Sequence, residues 1–373
     1  MKVLIVRPFP SIIDLKNNSY NQQEVGLATA FLCLGHESGI VYFGGECHRD
    51  EKYETAWGTI KIYYRKAKVY LNRISVFESF KDLKDQYDLI ISNEYDQVET
   101  VKTLHSYGQK TLIYHGPYYA PFNKRYNAYN RLFDLLFARW MQRKKPVILT
   151  KSMLAKEFLE EKGFSVKEDV GVGLDMSQLQ NGSDEDNPMK GRLSQENINL
   201  LYVGKLEPRR NTLFLLDVLH KLVEKDPCYR LILVGTGEKE YVQQVFDAIQ
   251  EKALENHVIY EPRMMQKHLP YLYDACDIFL LPTSYEIWGM VLMEAMKFHC
   301  PVFTTYNGGS SSLIEFGKNG WILDLDTDAW VNAIVENSLD VQTLIESNEK
   351  LLADKCQWQS IAQKMLDYHL NRR

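Results

Sequence analysis

What the 373-residue chain lacks narrows its class before anything it contains. No apolar run approaches the length of about 18 residues that a membrane-spanning helix needs. The opening apolar run, Val3–Val6, is closed at once by Arg7, so it reads as a buried strand and not as the core of a signal peptide. Cysteine is sparse and unpatterned: positions 33, 47, 228, 276, 300 and 356 form no C-x-x-C pair, and no histidine stands at zinc-ligand spacing. That argues against a disulfide scaffold and a structural zinc, and it predicts reduced, mostly buried thiols in a cytoplasmic protein. Repeats and low-complexity tracts are missing too. The length calls for two domains.

Charge is nearly balanced overall, at −5, but unevenly spread. Residues 1–150 carry 21 Lys+Arg against 15 Asp+Glu, whereas the rest of the chain nets −11. A basic first half suggests a meeting with something anionic, a membrane or nucleic acid, and ordinary variation between two surfaces explains it equally well.

Short apolar runs alternate with helical patterns throughout. The runs are Val3–Val6, Ile40–Phe43, Leu89–Ser92, Thr111–Tyr114 and Val147–Leu149, then Ile198–Val203, Arg230–Val234, Val258–Tyr260, Ile278–Leu281 and Pro301–Thr304. Amphipathic stretches such as Gln22–Leu34 and Tyr126–Met141 lie between them. Such alternation predicts parallel sheets with crossover helices, and two series predict an α/β fold of two doubly wound, Rossmann-like domains facing across a cleft. Between them Gln178–Glu196, polar, acidic and rich in Gly, Pro, Ser and Asn, reads as a surface loop. Ligands of open parallel sheets sit at the carboxyl ends of strands, so residues just after the runs become site candidates.

Three segments follow that rule. In Phe279-Leu-Leu-Pro-Thr-Ser-Tyr-Glu286-Ile287-Trp288-Gly289-Met290-Val291-Leu-Met-Glu294, a strand ends, a turn carries Glu286, and Gly289 opens a helix bearing Glu294. Amides at a helix start form an anion site, and a glycine there lets a ligand approach the backbone. Two carboxylates beside an anion site suit a diphosphate flanked by hydroxyl-rich groups. Their spacing alone carries little in so acidic a chain, where a loop acid and an ordinary helix charge would look the same. In Tyr202-Val-Gly204-Lys205-Leu-Glu-Pro-Arg209-Arg210-Asn211, cations follow a strand and precede the helix Thr212–Val223; they read as a diphosphate clamp or as a solvated basic loop. Val234-Gly235-Thr-Gly237 lacks the third glycine of a dinucleotide fingerprint but lies on the same ligand edge.

Together these segments resemble family 4 of the retaining glycosyltransferases, whose two-domain architecture is called GT-B. The resemblance rests on E-x-x-G-x-x-x-x-E-A-M from Glu286 to Met296, followed by Pro301-Val302 and Asn307-Gly308-Gly309, and is strongest over 198–325. It implies a nucleotide-sugar donor, a UDP-sugar by default, and no nucleic acid. It implies domains at 1–174 and 175–357, with a last helix at about 358–373 packing back on the first. Lys205 and Arg210 would hold donor phosphates with Gly204, Gly235 and the amides near Ile287, Trp288, Met290 and Val291. Glu286 would bind the donor sugar, Glu294 the ribose, and the backbone at Arg263-Met264 the base. His115, in Tyr114-His-Gly-Pro, would lie near the transferred sugar; by itself, a histidine after a strand is more often structural. No cofactor and no metal is implied, and Asp324-Leu-Asp326 reads as structural. Rival expectations are a sugar-nucleotide epimerase and a non-catalytic sugar-nucleotide-binding partner of a transferase.

The chain departs from the family in three places. Its first loop reads Asn17-Asn-Ser-Tyr-Asn-Gln-Gln instead of paired glycines, Asn211 stands for a glycine, and Ser312 stands for an acid. Last, Lys124–Lys145 holds seven cations and one acid among aromatic and aliphatic residues, and Tyr63–Arg73 adds a second aromatic-basic stretch. These suit a helix lying on an anionic membrane, and the resemblance, through family members that build cell-surface polymers, implies a lipid-linked saccharide as acceptor. Alternatively Leu132, Leu135, Leu136 and Trp140, at helical spacing, form a stripe facing the core.

Overall fold

The structure is a computed structural model and describes residues 1–15, 22–70, 74–175, 179 and 187–371. Of the first-loop departure at 17–23, residues 17–21 lie outside this described part, as do 178 and 180–186 of the loop read at Gln178–Glu196. One compact unit comprises Met1–Leu174 with Asp354–Arg373, and the other comprises Asp175–Ala353.

In the first unit β1 (Lys2–Val6), β2 (Glu37–Phe43), β3 (Arg49–Thr55) and β4 (Gly58–Arg65) precede a separate hairpin, β5 (Ala67–Tyr70) with β6 (Ile74–Phe77). Then come β7 (Leu89–Asn93), β8 (Thr111–His115), β9 (Val147–Thr150) and the two-residue β10 (Glu168–Asp169). The sheet order is β10-β9-β8-β7-β1-β2-β4-β3, parallel except for edge strand β3. Val3, Leu4, Ile5 and Val6 are wholly buried, as continuous apolar strands must be when helices cover both faces. Strands β2 and β7 flank β1, so the order reverses between β1 and β7.

The second unit holds β11 (Ile198–Val203), β12 (Tyr229–Val234), β13 (Val258–Glu261), β14 (Ile278–Leu281), β15 (Val302–Thr304) and β16 (Gly320–Ile322). All are parallel in the order β13-β12-β11-β14-β15-β16, and the reversal falls between β11 and β14. The helix Thr212–Lys225 turns Leu215, Leu216, Val218, Leu219 and Leu222 inward, as its 3.6-residue apolar period dictates. The doubly wound α/β class read from the sequence is thus the observed one.

The last helix, Trp358–Leu370, belongs to the first unit, where it packs on Gln23–Cys33. It buries Trp358, Ile361, Ala362, Met365 and Leu366, and Lys364 reaches Glu168 at 2.7 Å.

Three expectations change. As far as Tyr70 the stretch read at Tyr63–Arg73 is not helical: Ile60, Ile62 and Tyr64 alternate inward along β4, the period of a strand, and β5 follows. Residues 71–73 lie outside the described part. The core-facing leucine stripe is also overturned. The segment Lys124–Phe133 is α-helical, Asp134–Ala138 forms a π turn, and Arg139–Arg143 resumes the α-helix. Tyr126, Asn130, Phe133, Ala138 and Met141 take the inner face, leaving Leu132, Leu135 and Leu136 exposed at 56%, 83% and 62%. Tyr126, Asn130 and Phe133 already share the inward face at 3.6-residue spacing, so Leu132 turns outward before the π turn begins. Of the cysteines only Cys276, Cys300 and Cys356 are buried, with Cys47 exposed and the other two half-buried; none is bonded.

Candidate active site

The carboxyl edge of the second sheet brings together two segments far apart in sequence. Because β11 and β14 are hydrogen-bonded neighbours, the loops that follow them lie side by side. Ser284 N donates to Arg209 O (2.8 Å), Arg209 Nη1 to Tyr285 O (2.7 Å), and Asn211 Nδ2 to Pro282 O (2.6 Å) and Ser284 Oγ (2.8 Å). Asn211 has φ +53°, the left-handed region that asparagine tolerates better than most residues. That explains how it replaces a glycine, and its amide ties the two loops together as a glycine could not.

The Arg210 guanidinium contacts the Glu286 carboxylate directly, both side chains being about one-sixth exposed. Glu207 faces both arginines, 2.7 Å from Arg209 Nη2 and 3.6 Å from Arg210 Nε. Lys205 differs: it is exposed, and its ammonium meets no partner among the described residues, while its carbonyl accepts from Tyr202 OH (2.8 Å). The edge therefore offers one open cation and a second held against the carboxylate beside it.

Gly289 caps the helix Met290–Lys297 with φ +80°, a conformation glycine adopts without strain. The preceding loop rests on the paired glycines: Gly308 N donates to Glu286 O (2.8 Å), and a Cβ on Gly309 would lie 1.7 Å from Trp288 O. Trp288 is buried, its indole N–H directed at Met293 Sδ (3.1 Å), whereas Ile287, Met290 and Val291 stay half-buried. Glu294 is wholly buried and accepts from Tyr273 OH (2.7 Å), a partner that sequence reading did not single out. Gly204 follows β11, and a Cβ on Gly235 would fall 1.8 Å from Gly204 O, so Gly235 is demanded by the contact between strand ends as much as by any ligand. Exposed Arg263 and half-buried Met264 follow β13, whose last residue receives Gly235 N. Asp326 caps the helix Thr327–Val335 through Ala329 N (2.8 Å), and the Asp324 carbonyl accepts from Trp330 Nε1 (2.8 Å). Among the described residues no three His, Cys, Asp or Glu side chains gather as a metal site would require.

In the first unit, His115 ends β8 and is fully buried. Its Nδ1 lies 2.6 Å from Glu94 Oε2, which also accepts from Gly116 N (2.9 Å), while Lys151 Nζ reaches Glu94 Oε1 at 3.3 Å. Burial drives the Glu94 pKa up, but the Lys151 and His115 charges and these bonds outweigh it and bring it down to about 2. Glu94 and Lys151 were missed, although the rule that picked His115, a residue just after a buried strand, applies equally to them.

The two units have the doubly wound fold found in the two-domain architecture called GT-B. Residues 183–351, within the second unit, match the family described as Glycosyl transferases group 1, which bears out the resemblance there at the level of that glycosyltransferase group. An uncharacterised glycosyltransferase of Methanocaldococcus jannaschii is 24% identical over 175 residues, 46% of this chain and 44% of that one. Mannosylfructose-phosphate synthase of Agrobacterium fabrum is 28% identical over 142 residues, 36% and 31% of the two chains. The chain thus spans less than half the length of these curated relatives. Among solved structures, Anabaena HepE in complex with UDP and glucose aligns over 99% of both chains at a TM-score of 0.65 and 17% identity. Sucrose-phosphate synthase from Thermosynechococcus elongatus aligns over 99% and 98% at 0.69 and 16%. At such identities the likeness is one of fold.

Proposed function

We propose that the protein is a metal-independent, retaining glycosyltransferase that takes sugar from a nucleotide-diphosphate donor, by default a UDP-sugar. The convergence of Lys205, Arg210 and Glu286 at the reversal between β11 and β14 carries this reading, because ligands of open parallel sheets sit at that point. Anabaena HepE, which shares the fold, was solved with UDP and glucose. The donor diphosphate draws on Lys205 and Arg210, and Glu286, released from Arg210, turns to sugar hydroxyls. The bond from the anomeric carbon to the phosphate oxygen breaks, and the acceptor oxygen bonds that carbon on the same face. The acceptor proton passes to the departing phosphate, so no protein nucleophile is required. The test is sugar transfer and thermal shift across UDP-, GDP-, ADP- and dTDP-sugars with and without EDTA. Stabilisation by one donor and turnover that survives EDTA are expected; a strict manganese requirement would redirect attention to Asp324 and Asp326. Conversion of donor without an acceptor would favour an epimerase, and donor binding without any turnover would favour a non-catalytic partner.

The acceptor in this reading is a lipid-linked saccharide, met by a cytoplasmic protein that seats peripherally on the inner face of the membrane. No described helix is long and apolar enough to cross a bilayer. What supports the seat is the outer face of Lys124–Arg143 and the two lysines after it. Leu132, Leu135 and Leu136 stand exposed, and none of the seven cations of 124–145 has an ion-pair partner among the described residues. The single acid, Asp134, is turned to Lys162 and Tyr95. Each cation near an anionic leaflet contributes about 1 kcal/mol. Replacing the three leucines by serine should abolish sedimentation with anionic vesicles at low salt while leaving the melting temperature near wild type. Equal binding by the variant, or none by the wild type, would favour a soluble acceptor.

A further inference from the structure

The first sheet also places polar groups at its carboxyl edge, and the steps of the proposed reaction use none of them. Glu94 follows β7, His115 ends β8 and Lys151 follows β9, so three adjacent parallel strands deliver a carboxylate, an imidazole and an ammonium to one spot. All three are buried. Glu94 has φ +65°, a strained conformation for a residue with a Cβ. The strain is held by bonds on every side: its amide donates to Tyr114 O (3.1 Å), its carbonyl accepts from Thr100 Oγ1 (2.7 Å), and its carboxylate meets Gly116 N, His115 Nδ1 and Lys151 Nζ.

The imidazole is confined as tightly. Tyr95 meets it edge-on with centroids 4.9 Å apart, and Phe158 stacks at 6.1 Å with 19° between planes. Both ring nitrogens are buried; Nε2 has no hydrogen-bond partner among the described residues, and Nδ1 meets Glu94 Oε2 as a close contact at 2.6 Å outside hydrogen-bond angles. A carboxylate can only accept, so the proton of a neutral ring facing it sits on Nδ1, and Nε2 keeps its lone pair. Lys151 also pairs with the Glu94 carboxylate.

We propose that Glu94 is a positioning residue that fixes His115 as the Nδ1–H tautomer, presenting Nε2 as acceptor to a hydroxyl of the donor or acceptor sugar. That Nε2 meets a sugar rests on the transferase reading; that Glu94 fixes the ring does not.

The experiment is nitrogen NMR of the full-length protein labelled at its histidine rings, with the His115 signals assigned by their loss in His115→Gln. Wild-type His115 should show a protonated Nδ1 and an unprotonated Nε2. In Glu94→Gln, whose amide either donates or accepts, the ring should shift toward the Nε2–H form, and kcat should fall about 10²-fold with donor KM little changed. Glu94→Asp should recover part of both. A wild-type ring protonated at Nε2 alone overturns the idea even if Glu94→Gln does not fold, and so does a folded Glu94→Gln with an unchanged tautomer. An Nδ1–H ring in a wild type that transfers no sugar would overturn the sugar contact alone.

Discussion

The two sheets reverse their strand order in the same way, yet their carboxyl edges differ. At the second edge the charges are within reach of solvent: Lys205 is exposed, and Arg210 and Glu286 are partly so. At the first edge Glu94, His115 and Lys151 are sealed beneath the surface and bonded to one another. One topology therefore serves two purposes. Open charges can exchange internal partners for a ligand, whereas buried ones must keep their partners and so act by holding geometry.

The largest expected effect lies at the open edge. Lys205→Ala should lower turnover by about 10²–10³-fold, the cost of losing a donor that stabilises developing charge, and leave the melting temperature unchanged because the side chain is exposed. Wild-type turnover in that variant would remove Lys205 from the phosphate site. Glu294 tests a buried member of the same unit: Glu294→Ala strands the Tyr273 hydroxyl and should cost about 1–3 kcal/mol of stability, besides weakening donor binding. Denaturant unfolding and donor titration read the two effects separately.

At the sealed edge the contrast appears in acid. The pKa of Glu94 is lowered from 4.5 to about 2, so its ionised form stabilises the fold fully above the unfolded value, and that contribution is lost as pH falls toward 2. Acid unfolding of the first unit, followed by hydrogen exchange at β7 and β8, should become less steep across that window in Glu94→Gln. An identical slope would mean that the buried cluster is not the acid-sensitive element. Smallest of all, Leu135→Ser on the outer face of the π turn should change stability by less than about 0.5 kcal/mol, the ordinary result for an exposed site.

Much of the molecule was legible from local pattern. Continuous apolar runs marked the buried parallel strands, because such strands have no solvent face to alternate with. The segment from Glu286 to Met296 marked the edge of the second sheet, because a strand, a proline, a loop and a glycine-opened helix follow in order. Other features depended on neighbours remote in sequence. That Arg210 grips Glu286 follows from the pairing of β11 with β14, and that Asn211 serves where a glycine would stand follows from its bonds to Pro282 and Ser284. Tyr273 became a partner of Glu294 only when two helices met.

Sequence by itself determined the alternation of strand and helix, the two-unit class and the resemblance of the second unit, since each depends on residues close along the chain. Tertiary structure decided which charges stay open and which are sealed, and that Leu132, Leu135 and Leu136 face outward. Burial is a property of what packs alongside: Tyr126, Asn130 and Phe133 take the inner face and the leucines do not, a choice between two stripes that helical spacing alone fits equally.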